Sequence, residues 1–324
     1  LGRWGGWFYP EGRVVLGVQG VIAWGVAAVL VLVSALEAPT VTAALGPALA
    51  VTALALAPEI TWRRKGLAPF GGLSAIVVSM LPALVVLTVL APLLDGEGGW
   101  AASVVLGGAT VLASWLLPQA RRTPALIAGV AIASPGALWA FATALPAVAG
   151  PLGWLADPWT GSVGLTAATV LEGPRTPTTF GGSWAAVIAL AAIAAVGAGS
   201  ALRRQSGGQR SGGLMLIGLG CTAFAFAVAM APLTAGSSVL MTLAATAAAF
   251  ALQLLAGAYL GRGEPVLAAA PLAGAAFAAV PTLGWAAVST EASVLTSALA
   301  VVAAGAAALI ARRTLALPGL AAVA

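Results

Sequence analysis

Side chains able to do chemistry are scarce in this chain, and what is missing is informative. The 324 residues include no histidine, one cysteine (Cys221) and nine carboxylates. Without imidazole there is no Ser–His proteolysis, no HExxH zinc hydrolysis, no His-ligated haem and no His proton relay. A single thiol excludes Cys-rich zinc and iron–sulfur sites and any intrachain disulfide. No DDxxD pair is present to hold the Mg²⁺ of prenyl or sugar-phosphate transfer, and no GxxxxGK[ST] loop to cradle ATP. No metal and no cofactor is expected, and the chain does not read as an enzyme.

The carboxylates offer one remaining route to catalysis. Lipid-linked glycosyltransferases use a carboxylate outside the membrane near the first span, and Glu37 holds that place, but its loop is only EAPT. A solvated acid at a helix end is the simpler account. Asp157, Glu172 and Arg175 could form a small charged cluster in a long connection between residues 149 and 182.

The other polar candidates are neutral and sit in apolar surroundings. Gln19 and Gln253 are the largest polar groups within hydrophobic runs, so each needs a partner on another helix or a cavity. Pro47, Pro82, Pro135, Pro271 and Pro281 fall inside such runs, where each removes a helical hydrogen bond and exposes a carbonyl. Helices broken in this way build binding sites near the midplane of many transporters. The stretch SPGALW combines Ser134, Pro135 and Gly136 with Trp139 as an aromatic wall. Ser134, Pro135, Trp139, Gln19 and Gln253 are therefore the expected lining of a substrate path, if the prolines converge on one cavity.

The elements that must carry these residues follow from composition. Charged residues make up 7% of the chain and hydrophobic ones 61%, with a mean hydropathy of +1.05. A soluble domain has about 25% charged residues, so this chain cannot cover a core with polar surface. Disorder requires the opposite balance. An all-α, polytopic integral membrane protein remains. Runs long enough to cross a ~30 Å hydrocarbon layer as helices occupy 14–36, 40–58, 68–94, 99–118, 124–148, 183–203, 213–233, 237–260, 265–287 and 292–311. That makes about ten transmembrane helices.

Orientation follows from the basic residues. Arg3, Arg13, Arg63, Arg64, Lys65, Arg121, Arg122, Arg203, Arg204, Arg210, Arg262, Arg312 and Arg313 all fall on one face, and Arg175 alone on the other. Glu37, Asp95, Glu97, Asp157, Glu172 and Glu291 lie opposite them. Both termini are expected in the cytoplasm. Arginine in place of lysine, with abundant Ala and Gly, points to a bacterial plasma (inner) membrane. The tryptophans Trp4, Trp7, Trp62, Trp100, Trp154, Trp159, Trp184 and Trp285 lie near span ends, where indoles suit the headgroup layer. The basic charge serves topology and contact with anionic lipids, not nucleic acid.

The 149–182 connection divides the chain into a five-helix half, 1–148, with an interfacial N-terminal segment, and a second five-helix half, 183–324. Halves with five spans each have opposite topology, as inverted repeats require, although the proline positions do not correspond between them. Within the connection, 161–171 is apolar but too short to span. It is read either as a re-entrant piece or as a loop lying on the bundle. Three functions compete. The first is a transporter or flippase for a small or amphiphilic solute, working without intramembrane charge. The second is a non-catalytic membrane subunit of a larger secretion, export or ABC-type assembly, with partner membrane subunits. The third is a lipid-linked transferase.

The topology is directly testable. In intact cells, a cysteine replacing Arg175 should react with an impermeant maleimide and one replacing Arg64 should not; the reverse pattern would overturn the orientation.

Overall fold

The computed structural model describes residues 96–117, 119–171, 181–205, 213–261 and 265–312, with 76, 79–80, 83–87, 90 and 93–94 before them. Gln19, Pro47, Pro82, Glu172, Arg175 and the first two expected spans lie outside the described residues. The regular elements among the described residues are helices, with no strand beyond one isolated bridge between Thr166 and Ser238. The helices are α1 (Gly96–Ser114), α2 (Gln119–Ala149), α3 (Ala167–Leu171), α4 (Trp184–Gln205), α5 (Gly213–Thr234), α6 (Val239–Leu260), α7 (Pro265–Ala286) and α8 (Thr290–Arg312), with a 3-10 segment at Gly150–Ala156.

Six helices are long and apolar enough to cross a membrane: Arg121–Ala156, Trp184–Arg203, Gly213–Thr234, Val239–Leu260, Leu267–Ala286 and Thr290–Leu309. They coincide with the fifth to tenth runs read from the sequence. The chain divides into two compact units, 1–133 and 134–324. In the first, α1 and the start of α2 meet at Gly107 and Gly129, each of which would place a Cβ within 2.8 Å of the other's helix backbone.

The second unit contains α4 to α8. Its interior is built from small residues: Ala140, Ala144 and Ala147 on α2, Ala186 and Ala189 on α4, and Ala223 and Ala229 on α5 are fully buried. Large apolar side chains stand on both sides: Leu190, Met230, Leu243 and Trp285 are fully buried, while Leu138, Ile188, Leu202, Met215, Leu252, Val301 and Val302 face outward. A water-soluble protein leaves few such side chains outside, because burying them removes apolar area from water. In hydrocarbon that reward vanishes and close backbone approach decides the packing. The tightest crossing joins α4 and α5, where a Cβ on Gly197 would stand 2.6 Å from the Gly220 Cα and 2.9 Å from the Leu216 carbonyl oxygen.

α7 is the central helix. Half of its apolar stretch is buried, against 17% for α8, and it touches α5, α6, α8 and the 3-10 segment. α8 leans on α6 at the periphery. Two apolar layers fix α5, α6 and α7 together: Ile217, Leu267 and Ala270 form one, and Ala225, Ala249 and Ala278 the other. Phe226 bridges outward from this centre, edge-on to Phe141 of α2 at 5.1 Å and tilted against Phe277 of α7 at 5.8 Å.

The connection after α2 lies across one end of the bundle as a strap. Pro151 packs on Gly284 of α7. The Trp159 and Gly161 amides donate to the carbonyls of Ala287 (2.7 Å) and Val288 (2.9 Å), in the α7–α8 turn. Beyond them, Val239 and Leu240 donate to Leu165 and Val163, and Ala167 donates to Ser237 at 2.8 Å, in the α5–α6 turn. That turn needs Gly236, whose φ of +68° ends α5, and Ser238, whose hydroxyl caps the start of α6. The apolar piece 161–171 is thus a loop on the bundle, with its backbone groups satisfied by two helix turns and its short α3 buried through Ala167 and Leu171. The strap also corrects the reading of two tryptophans. Trp154 and Trp285 are buried at 9% and 0% exposure, because the strap covers the end of α7, whereas Trp100, Trp159 and Trp184 are exposed as interfacial residues are.

The Gly197–Gly220 crossing should be intolerant of a side chain. Gly197→Val is expected to cost about 1–3 kcal/mol, the range for forcing volume into a packed contact, read as earlier thermal unfolding in detergent. Gly305→Ala, with open space around its Cα, should be neutral or slightly stabilising.

Candidate functional site

The hydroxyl groups of the bundle are mostly spoken for by their own helices. Thr242 donates to the Ser238 carbonyl, Thr246 to Thr242, Thr282 to Ala278, Ser200 to Val196 and Thr296 to Ala292, all at 2.7–3.1 Å. This back-bonding lets Ser and Thr sit in an apolar interior without recruiting a partner. They line no polar route.

Gln253 behaves differently. It lies on α6, is 4% exposed, and reaches across the helix interface so that Nε2 donates to the Cys221 carbonyl of α5 at 3.0 Å. It sits one turn from each of the two apolar layers described above. Its carbonyl oxygen, Oε1, has no hydrogen-bond partner. It points at Gly274 of α7, and a Cβ on that glycine would collide with Oε1 and stand 2.9 Å from the Cys221 Cβ. Gly274 is therefore the notch that admits the amide. The assignment of N and O is fixed by chemistry, since the Cys221 carbonyl can only accept.

The same stretch of α7 carries its two helix-breaking residues. Pro271 and Pro281 both lie inside α7 and are buried. Gly274 falls between them, so the segment facing Gln253 is bounded by two positions whose amides cannot donate. An unpaired donor lies near the strap end of the same helix: Trp285 is fully buried and its Nε1 has no partner.

The other expected site residues are placed differently. Ser134 and Pro135 are exposed on α2, which is helical from 119 to 149. Trp139 is half-buried on the same helix, and its carbonyl accepts from Thr143 at 2.9 Å. The side chains of Ser134 and Pro135 thus face away from an interior that Gln253 faces into. Asp157 is exposed on the strap. Among the described residues no group of three metal-ligating side chains occurs.

Sequence reasoning missed Gly274 and Cys221 as the companions of Gln253. The signal for the first was weak: one glycine among many in an Ala-rich helix. Nothing in the sequence marks a main-chain carbonyl as an acceptor. It also missed the bond from Trp159 Nε1 to Ser293 Oγ, 2.9 Å long, which joins residues 134 positions apart and holds the strap to α8. Trp159 keeps a φ of +65°, unusual outside glycine, to make that reach.

The fold is all-helical among the described residues, with six helices long and apolar enough to cross a membrane. No protein-family model, no curated protein and no solved structure matches this chain.

The notch predicts a coupled pair. Gly274→Ala should destabilise the protein by about 1–3 kcal/mol through its clash with Gln253. Gln253→Ala should relieve most of that clash, so a double-mutant cycle in detergent should show a coupling of about 1 kcal/mol or more; additive effects would mean the two side chains do not meet.

Proposed function

We propose that the chain is a ten-span protein of the bacterial inner membrane, with both termini in the cytoplasm, that moves a small or amphiphilic solute. The supporting observation is the buried amide of Gln253, with an acceptor oxygen unpaired beside the segment of α7 between Pro271 and Pro281. An orphan acceptor in hydrocarbon costs on the order of 1–3 kcal/mol, which persists only where something recoups it. A polar group of a passing solute, or water in an alternate conformation, would do so. The prolines supply the flexibility: α7 lacks two of the hydrogen bonds that would make it rigid, and neighbouring helices hold it on three sides. No Asp, Glu, Lys or Arg lies in the apolar core of the described spans, so the solute would move without coupling through an intramembrane charge.

The orientation is supported from a second direction. The strap after α2 pairs with both the α5–α6 and the α7–α8 turns. The arginine distribution assigns all three connections to the external face. Ten spans, in two halves of five with opposite topology, fit this arrangement.

A non-catalytic subunit of a secretion, export or ABC-type assembly is the second reading. It is favoured by α8, whose outward face presents Val294, Leu299, Val301, Val302 and Leu309 with little of the helix buried. Partner spans would dock there.

The chain's one cysteine separates these readings without any mutation. Cys221 is the residue whose carbonyl holds Gln253, and it is partly accessible. If water reaches the Gln253 level during transport, a charged methanethiosulfonate should modify Cys221 in membrane vesicles. Modification by permeant N-ethylmaleimide alone would remove the support for a solute path and favour the subunit reading.

A further inference from the structure

Two buried polar atoms of α5 to α7 are answered by no partner, Gln253 Oε1 and Trp285 Nε1. They lie along one seam between α6 and α7. Gly274, Ala278, Pro281 and Trp285 follow the i, i+4, i+7, i+11 spacing of one face of α7, and all four are buried. From α6, Gln253 meets Gly274, and Ala249 joins Ala278 in the layer with Ala225 of α5. Both pairs belong to one antiparallel register, which two turns further on brings buried Thr242 level with Trp285. The acceptor oxygen and the donor nitrogen therefore stand about 16 Å apart along the axis. Only small or ring-closed side chains of α7 separate them.

The other hydrogen-bonding groups of these three helices are committed. Every threonine hydroxyl on them donates within its own helix or to its cap: Thr222 to Gly218, Thr234 to Met230, Thr242 to Ser238, Thr246 to Thr242 and Thr282 to Ala278. Gln253 Nε2 is held by the Cys221 carbonyl, which can only accept, so Oε1 cannot change places with it. A solute in the seam must then donate at Gln253 and accept at Trp285. An ammonium has nothing to accept with, and an ether or ketone has nothing to donate. A hydroxyl does both through a single oxygen, which suits a path bordered by glycine and alanine. No Asp, Glu, Lys or Arg lies on α5, α6 or α7. An ion would enter the seam without a counter-charge, at a cost that one neutral amide does not offset.

On the basis of the solute path proposed at Gln253, we infer that the solute is a small uncharged hydroxyl compound of the polyol type. It passes along the α6–α7 seam, accepting from Trp285 Nε1 and donating to Gln253 Oε1. Both atoms are enclosed in this structure, and Pro151 of the strap packs on Gly284 beside Trp285. Entry therefore requires α7 to shift, and Pro271 and Pro281, which lack an N–H, are where its backbone yields most easily.

The test is uptake by the full chain in liposomes, at equal incorporated protein. Radiolabelled erythritol is compared with trimethylamine N-oxide, which only accepts, with the cation tetramethylammonium and with the anion methanesulfonate. Erythritol should enter well above the rate of empty liposomes, and the other three at that background. Gln253→Met removes the acceptor and Trp285→Phe the donor; each should slow erythritol by about fivefold or more, the scale of one lost hydrogen bond. Gln253→Ala replaces Gln253→Met if that variant does not fold. Uptake of the N-oxide or of either ion as fast as erythritol overturns the polyol class and leaves the transport reading standing. Erythritol uptake unchanged in both variants overturns the seam as its path. Uptake of none of the four overturns the transport reading and this class together.

Discussion

Everything in this structure depends on how closely two helix backbones can approach when the hydrophobic effect gives them no reason to. In a hydrocarbon layer, lipid chains are as apolar as leucine, so association rests on contact at short range. At Gly197 and Gly220 the backbones of α4 and α5 come nearly into van der Waals contact, with no side chain between them. The buried alanines of α2, α4 and α5 extend the same solution along each helix. Dispersion falls steeply with distance, so a gap of one methyl group forfeits much of the attraction. Glycine and alanine at the helix crossings bring the backbones close enough to gain contact under this rule.

A second constraint follows from the same medium. Polar groups have no water to fall back on, so each must be answered within the protein. The hydroxyls are answered locally by their own helices. The ends of helices α5 to α8 on one side are answered by the strap, which donates to both turns and accepts from the start of α6, and gains a fixed path over the bundle in return. Gln253 is only half answered: one side of its amide binds the Cys221 carbonyl and the other faces a glycine. The incompleteness lies on the central helix, between two prolines. A deep and underused amide therefore faces the segment bounded by the two prolines. That coincidence is the basis of the functional reading.

The division of roles among helices follows. α7, surrounded on several sides, carries the prolines and the notch. α8, held mainly by α6, contributes little to the core and presents its face to whatever surrounds the protein.

What the sequence determined by itself was whatever depends on composition and period. The helical class, the positions of the last six spans and the shared face of three connections could all be read from apolar runs and arginine spacing, because hydrocarbon thickness and the cost of moving charge are properties of the medium. Gln253 could also be singled out, since an amide in an apolar run must find a partner. The identity of that partner could not be read, because it is a main-chain carbonyl 32 residues away that no side-chain pattern marks. Ser134 and Pro135 carried the same sequence signals as the α7 prolines, yet they are exposed on α2 whereas Pro271 and Pro281 are buried on α7. Trp154 and Trp285 resembled interfacial anchors until the strap covered them. In each case the deciding quantity was the rotation of a helix about its axis and the neighbour it met. In a chain apolar on every side, amphipathic period does not encode that rotation; the fit of small residues between packed helices does, and it exists only once the helices have come together.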